Sequence, residues 1–225
     1  MAKAKSIIII PARGGSKRLP GKNLKLLSGK PLIEYSLNYA RANSDDNTEI
    51  VVTTNDEDIK NFVLKKGIEV IDRPEAISKD DSTTVSALKH VLETMGESYE
   101  YVILLQPTNP FRPNTLLNET VGVFKNGNYD SLMTVSLNDK KLGKIKDDRF
   151  IPYTYKMGQR SQDLEPLYFE NGLLYISKTE LILNNQILGH KNYPFIVNHP
   201  FASVDIDTQE DLNYAEFVAK TYSDE

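Results

Sequence analysis

Ser6-Ile7-Ile8-Ile9-Ile10-Pro11-Ala12-Arg13-Gly14-Gly15-Ser16-Lys17-Arg18-Leu19-Pro20-Gly21-Lys22-Asn23 is the stretch on which the reading of the chain turns. Ile7 to Ile10 form an unbroken β-branched run, the pattern of a short strand buried on both faces. Pro11 has no N–H to give to a ladder, so the strand is expected to stop there. The loop that follows carries three glycines, one serine and four cations, Arg13, Lys17, Arg18 and Lys22. Glycines let backbone N–H groups approach an anion, and the cations neutralise phosphate charge. The plainer alternative is a basic solvated turn. It is disfavoured because buried strand, glycines and clustered cations coincide.

Two familiar phosphate loops fail on spacing. The Walker pattern needs a shorter gap than the five residues between Gly15 and Gly21, and a Ser or Thr where Asn23 follows Lys22. The dinucleotide pattern G-x-G-x-x-G is absent from the loop.

Outside this loop the composition is ordinary. The chain has 225 residues, 40% hydrophobic and 26% charged, enough for one α/β domain with a real core. A net charge of −4 gives no global basic field for nucleic acid. Cysteine is absent, which excludes disulfides, thiol nucleophiles and cysteine zinc sites. His90, His190 and His199 have no metal-ligand spacing. No apolar run approaches the roughly 18 residues of a membrane span, and no signal-peptide pattern precedes Ile7. The expectation is a soluble cytoplasmic protein.

Strands and helices alternate along the first half. Pro31 opens a helix with Leu32, Ile33, Leu37 and Ala40 on one face. Ile50 to Thr54 is the next strand, ending at a cap, Asn55-Asp56. Ile59, Phe62 and Val63 mark a second helix, Gly67 stops it, and Ile68 to Ile71 is a third strand. This βαβαβ order implies a parallel sheet with right-handed crossovers. Arg73-Pro74 and the polar run 78–84 form a loop at a strand's carboxyl end, where open α/β sheets place ligands. Ser82 or Thr83 caps the next helix, which carries Val85, Leu88, Leu92 and Met95. Tyr101 to Leu105 is a further buried strand. Three prolines stiffen the loop after it, so Gln106 and Arg112 are expected to be presented from a rigid frame. Leu117, Val121 and Phe124 predict a helix, 131–136 a strand, and Leu212, Ala215 and Val218 a closing helix.

The pattern weakens over 137–166, an excursion rich in lysine. Tyr153 and Tyr155 alternate with polar residues as on a half-exposed strand. Near the end, Asp205 and Asp207 stand two apart, so a strand would aim both carboxylates at one site. Such a pair is costly without a cation between, and magnesium suits hard oxygen ligands. The alternative is an aspartate or Thr208 capping the last helix.

Pro11 to Asn23 fits the pattern P-A-R-x-x-S-K-x-L-P-x-K-N and resembles the acylneuraminate cytidylyltransferases, which activate sialic acid and related nine-carbon 2-keto acids with CTP. Gln106 to Arg112 is similar to that family's Q-P-T-S-P-L-R, with Asn109 and Phe111 replacing Ser and Leu. Asn171 to Ile176 matches N-G-x-x-Y-I, and Asp205 to Leu212 resembles D-I-D-T-x-x-D-L. There are departures. Arg160-Ser161-Gln162-Asp163 has Ser161 for the second arginine of R-R-Q-D. Phe169 stands where many bacterial members have arginine, and Ile187 and Leu188 lie where many have aromatics around the N-acyl pocket.

The resemblance implies a three-layer α/β/α nucleotidyltransferase fold with a mainly parallel sheet, in a single domain spanning residues 1–225. Residues 137–166 would be a dimerisation arm of a homodimer. It implies CTP and a 2-keto-3-deoxy sugar acid as substrates, Mg²⁺ as cofactor, and CMP-sugar and pyrophosphate as products. Lys22, Arg13 and Asp207 would be catalytic, Asp207 being a candidate base by proximity only. Asp205 and Asp207 would hold the metal. Ala12, Gly14, Ser16, Lys17, Asn23, Arg73 and Thr84 would bind the nucleotide. Gln106, Lys144, Arg160, Gln162 and Tyr175 would face the sugar acid. Two alternatives stand beside this: a CMP-Kdo synthetase, and a nucleotide-binding regulator without catalysis. Asn23 and the Asp205–Asp207 pair argue against the former, and the intact metal-type pair against the latter.

Overall fold

The computed structural model describes residues 6–96 and 98–221. In chain order the elements are β1 (Ser6–Pro11), β2 (Leu26–Leu27), β3 (Lys30–Pro31), α1 (Leu32–Asn43), β4 (Thr48–Thr54), α2 (Glu57–Lys65) and β5 (Glu69–Asp72). Then come α3 (Thr84–Met95), β6 (Tyr101–Leu104), α4 (Leu116–Asn126), β7 (Ser131–Asn138), β8 (Gly143–Lys146) and β9 (Arg149–Pro152). The last are β10 (Leu167–Lys178), α5 (Thr179–Leu183), β11 (Asn192–Ile196) and α6 (Gln209–Thr221).

Seven strands form one sheet in the order β11-β7-β10-β6-β1-β4-β5. β1 lies between β4 and β6 and pairs with both in parallel, and β4 pairs in parallel with β5. β10 is antiparallel to both its neighbours, β6 and β7. The sheet is therefore mixed and mostly parallel.

β1 explains the layering. All four of its isoleucines are fully buried. Successive side chains on a strand point to opposite faces, so the run serves two cores. Ile8 and Ile10 pack with Ile33 and Leu37 of α1, Val63 of α2 and Leu117 of α4. Ile7 and Ile9 pack with Leu88 and Val91 of α3 and Ile182 of α5. Each such burial contributes roughly 1.5–3 kcal/mol. A third cluster joins Leu212, Ala215 and Val218 of α6 to Leu19 and Leu27, so the last helix is packed onto the loop after β1.

The caps follow the sequence. The Asp56 side chain accepts from Asp58 and Ile59 N–H at the start of α2, and Thr83 accepts from Ser86 N–H at the start of α3. Three features differ from expectation. Tyr153 and Tyr155 lie in bends beyond β9, because Pro152 ends that strand; the hairpin is β8–β9, a separate two-stranded sheet. Residues 204–207 belong to no strand of the sheet; Val204 is extended, and Ile206 N–H donates to Thr108 O at 2.9 Å. The strands β10 and β11 and the helix α5 carry no expectation from periodicity at all.

Candidate active site

A cleft of about 200 Å³ opens at the carboxyl ends of β1, β5 and β6. The loop after β1 forms one wall with Arg13, Ser16, Lys17, Arg18, Lys22 and Asn23. The opposite side is contributed by Arg73, Ser82, Thr84, Gln106, Thr108 and Asp207. Five of these side chains are cationic and one is a carboxylate, an arrangement that attracts a multiply charged anion.

Two glycines are needed for the shape of the basic loop. Gly21 has φ +66°, which lets the chain turn into a short 3-10 segment beginning at Lys22. A Cβ at Gly14 would lie 2.3 Å from Asp56 Oδ2, so the backbone passes the α2 cap only without a side chain. Gly14 N–H donates to Asn55 Oδ1 at 3.1 Å. Buried Asn23 donates to Arg13 O at 2.9 Å and braces the loop from inside.

The cations are held by two carboxylates. Lys22 Nζ lies 2.8 Å from Asp207 Oδ1, and Arg18 Nη2 lies 2.5 Å from Asp207 Oδ2. Arg13 Nη1 lies 2.8 Å from Asp80 Oδ1, and Lys17 Nζ lies 2.5 Å from Asp80 Oδ2. Burial works to raise the Asp207 carboxyl, but the Lys22 ammonium and the Arg18 guanidinium outweigh it and hold it below the usual range. Asp205 goes the other way. Crowding by the surrounding protein raises its carboxyl; a hydrogen bond from Thr108 opposes this and the Asp207 charge adds to it. Two carboxylates two residues apart in the chain are oxygen donors of the kind that suits a hard divalent cation whose remaining ligands are phosphate and water. Thr208 and Asp211 fix the pair's backbone. Asp211 Oδ2 accepts from Thr208 N–H at 2.8 Å, and Asp211 N–H donates to Thr208 Oγ1 at 3.2 Å.

Arg73 is buried and donates Nε and Nη2 to Ile77 O at 2.8 and 2.5 Å. Burial first, and Arg13 second, depress its guanidinium. Tyr175 is buried on β10 beside Leu104 of β6. Its hydroxyl donates to Glu170 Oε2 at 3.1 Å. Burial and the Glu170 and Asp205 charges push that phenol well above its usual value.

The sequence profile of the cytidylyltransferase family matches residues 7–223. The chain belongs to that family. It is 34% identical to the N-acylneuraminate cytidylyltransferase of Streptococcus agalactiae serotype III, over 92% of this chain and 52% of the relative. It therefore spans about half the length of that relative. It is 32% identical to the CMP-N,N'-diacetyllegionaminic acid synthase of Legionella pneumophila, over 91% of this chain and 92% of the relative. In fold it is similar to CMP:2-keto-3-deoxy-manno-octonic acid synthetase complexed with CTP, with TM-score 0.70 and 18% identity over 96% of this chain and 99% of that one.

The cytidylyltransferase cleft brings together Arg13, Ser16, Lys17, Lys22, Asn23, Arg73, Thr84, Gln106 and Asp207. Ala12 is buried beneath it and donates its N–H to Thr53 O at 2.9 Å, while Gly14 lies against α2. Lys144, Arg160 and Gln162 are not brought to the cleft within one chain. Lys144 Nζ sits 4.2 Å above the Tyr153 ring, Arg160 pairs with Asp163 at 2.7 Å, and Gln162 is exposed. Arg112 is not presented as expected. It is buried and donates to Leu173 O, Ser36 Oγ and Gln106 O at 2.6, 3.1 and 2.7 Å. Desolvation lowers its guanidinium to about 10. It holds the Gln106 loop rather than a ligand. Ile187 and Leu188 pack half-buried against the core of Ile7 and Ile9.

Sequence reasoning passed over Arg18, Asp80, Thr108 and Glu170 as site residues. Arg18 was legible in the basic loop and Thr108 in the proline-rich one. Asp80 lay within the polar run 78–84 but nothing in the sequence paired it with Arg13 and Lys17, and Glu170 had no signal.

Proposed function

We propose that this chain joins CTP to a nonulosonic sugar acid, releasing pyrophosphate. The observation that carries the reading is the 2.8 Å meeting of Lys22 and Asp207, from opposite ends of the chain, at the mouth of a basic cleft. The sugar's C2 hydroxyl oxygen attacks the α-phosphorus; the new O–P bond forms as the bond from the α-phosphorus to the bridging oxygen breaks, that oxygen leaves with pyrophosphate, and the hydroxyl proton passes to solvent. The protein's part is alignment and stabilisation of phosphate charge. Arg13, Ser16, Lys17 and Lys22 hold the triphosphate, with Ala12 and Gly14 beneath it. Asn23, Arg73 and Thr84 fix the nucleotide, and Gln106 and Tyr175 face the sugar acid. Asp205 and Asp207 would hold Mg²⁺, which would supply positive charge to the phosphates and acidity to the attacking hydroxyl. Asp207, engaged by two cations, is a weak base and a better ligand.

The arm supports a homodimer. Ile145, Phe150, Tyr153 and Met157 are 81, 52, 69 and 72% exposed on and beside the hairpin, an apolar surface suited to a second copy. Lys144, Arg160 and Gln162 would then serve the partner's cleft.

The test is pyrophosphate release with CTP and Mg²⁺ across a panel of N-acetylneuraminic, legionaminic, pseudaminic and Kdo acids. Release with one nine-carbon acid and not with Kdo supports the reading. Release with Kdo alone replaces it with the CMP-Kdo reaction, and silence with every acid, CTP still binding, favours a regulator.

A further inference from the structure

Asp80 borders the cleft through Arg13 and Lys17, which line it, and the proposed reaction leaves this carboxylate without a role. It stands on the loop between β5 and α3, in the same run as Ser82, which lines the cleft. Both of its oxygens are engaged, one by Arg13 at 2.8 Å and the other by Lys17 at 2.5 Å. Arg13 Nη1 also reaches Ser78 O, at 3.5 Å, so this loop holds the guanidinium twice. The Lys17 and then the Arg13 contacts hold the Asp80 carboxyl below the usual range, so it is ionised at neutral pH.

The two carboxylates that grip the basic loop differ in what a nucleotide does to them. Asp207 has Asp205 beside it, and a divalent cation arriving with phosphate offers it a new partner in place of Lys22 and Arg18. Asp80 gains no such partner. A triphosphate that takes Arg13 and Lys17 brings several negative charges up to it and removes both cations from it. The Asp80 pairs are open to solvent, with side chains 34% (Arg13), 82% (Lys17) and 43% (Asp80) exposed. Exposed pairs are individually weak, so phosphate displaces the carboxylate and the competition costs a modest factor in affinity.

We propose that Asp80 is an internal counter-anion that competes with the nucleotide's phosphates for Arg13 and Lys17, setting nucleotide affinity and reclaiming both cations as pyrophosphate departs. The proposal rests on the CTP reading above. It differs from a positioning role, in which Asp80 would hold the two cations ready and its loss would weaken binding.

The experiment is calorimetric binding of CTP and, separately, of inorganic pyrophosphate to the full chain and to Asp80→Asn, Asp80→Ala and Asp80→Glu. Asp80 is exposed on a loop, and two neutral variants guard against one that fails to fold. The neutral variants are expected to bind both ligands roughly threefold to tenfold tighter, and Asp80→Glu to stay close to the parent. The gain should shrink as salt screens the charges. Neutral variants that bind pyrophosphate equally or more weakly, beside a parent that binds it, would overturn this inference alone. A parent that binds neither CTP nor pyrophosphate would overturn it together with the reaction on which it rests.

Discussion

The basic loop and the arm are both rich in cations, yet the fold treats them in opposite ways. The loop leaves a strand whose isoleucines are fully buried, and α6 packs onto its Leu19 and Leu27. Its four cations meet carboxylates from distant parts of the chain, at Asp80 and Asp207. The arm is held less deeply: every residue of β8 is exposed, and among the described residues Lys144 and Arg160 find partners on the arm itself, Tyr153 and Asp163. The lesson is that a cluster of charges becomes a site when buried structure fixes it and long-range contacts complete it. A cluster on an exposed hairpin stays incomplete until another surface covers it.

Four experiments would break or sharpen that contrast. The largest effect is expected at the frame of the cleft. Arg112→Met leaves three acceptors behind, two of them buried with the guanidinium, and should lower stability on the order of 3–5 kcal/mol in urea unfolding. A loss below about 1 kcal/mol would mean that the cleft is not held from beneath. Next, Lys22→Ala should reduce kcat by about 10²–10³ with the fold intact, as expected for removing one group that stabilises transition-state charge. Near-normal turnover would sink the role given to this loop. On the arm, Ile145→Lys with Phe150→Lys should shift sedimentation from dimer toward monomer, each lost burial being worth about 1.5–3 kcal/mol at most. A parent chain that is monomeric at micromolar concentration would show the arm to be uncovered after all. The smallest effect is expected at Tyr175→Phe, which removes one hydrogen bond to Glu170, worth about 0.5–1.5 kcal/mol. It should raise KM for the sugar acid severalfold and leave that for CTP unchanged; an equal change in both would place Tyr175 outside the sugar side of the cleft.

Much of the first half was legible because its signals are local. Four isoleucines before a proline specify a two-faced strand, Asp56 and Thr83 cap the helices that follow them, and glycines mark the turns. The basic loop was legible as a cluster of cations at a strand's carboxyl end for the same reason. The second half was harder. β10 alternates poorly and runs antiparallel within a mostly parallel sheet, with an irregularity between Glu170 and Tyr175. The tyrosines of 153–155 imitate a strand, but Pro152 has already ended it. Arg112 was expected to be presented from a stiff loop, whereas it is buried and donates to three acceptors from separate segments.

Composition and spacing thus determined the alternating α/β order, the cationic loop after β1 and the closeness in sequence of Asp205 and Asp207, since these depend on residues close together in the chain. Tertiary structure decided which charges meet. Lys22 and Asp207 are joined across nearly the whole chain, Arg13 and Lys17 fall to Asp80, and Lys144 and Arg160 are withheld from their own cleft. The physical reason is that an ion pair acts over a few ångströms of space and is indifferent to separation in sequence.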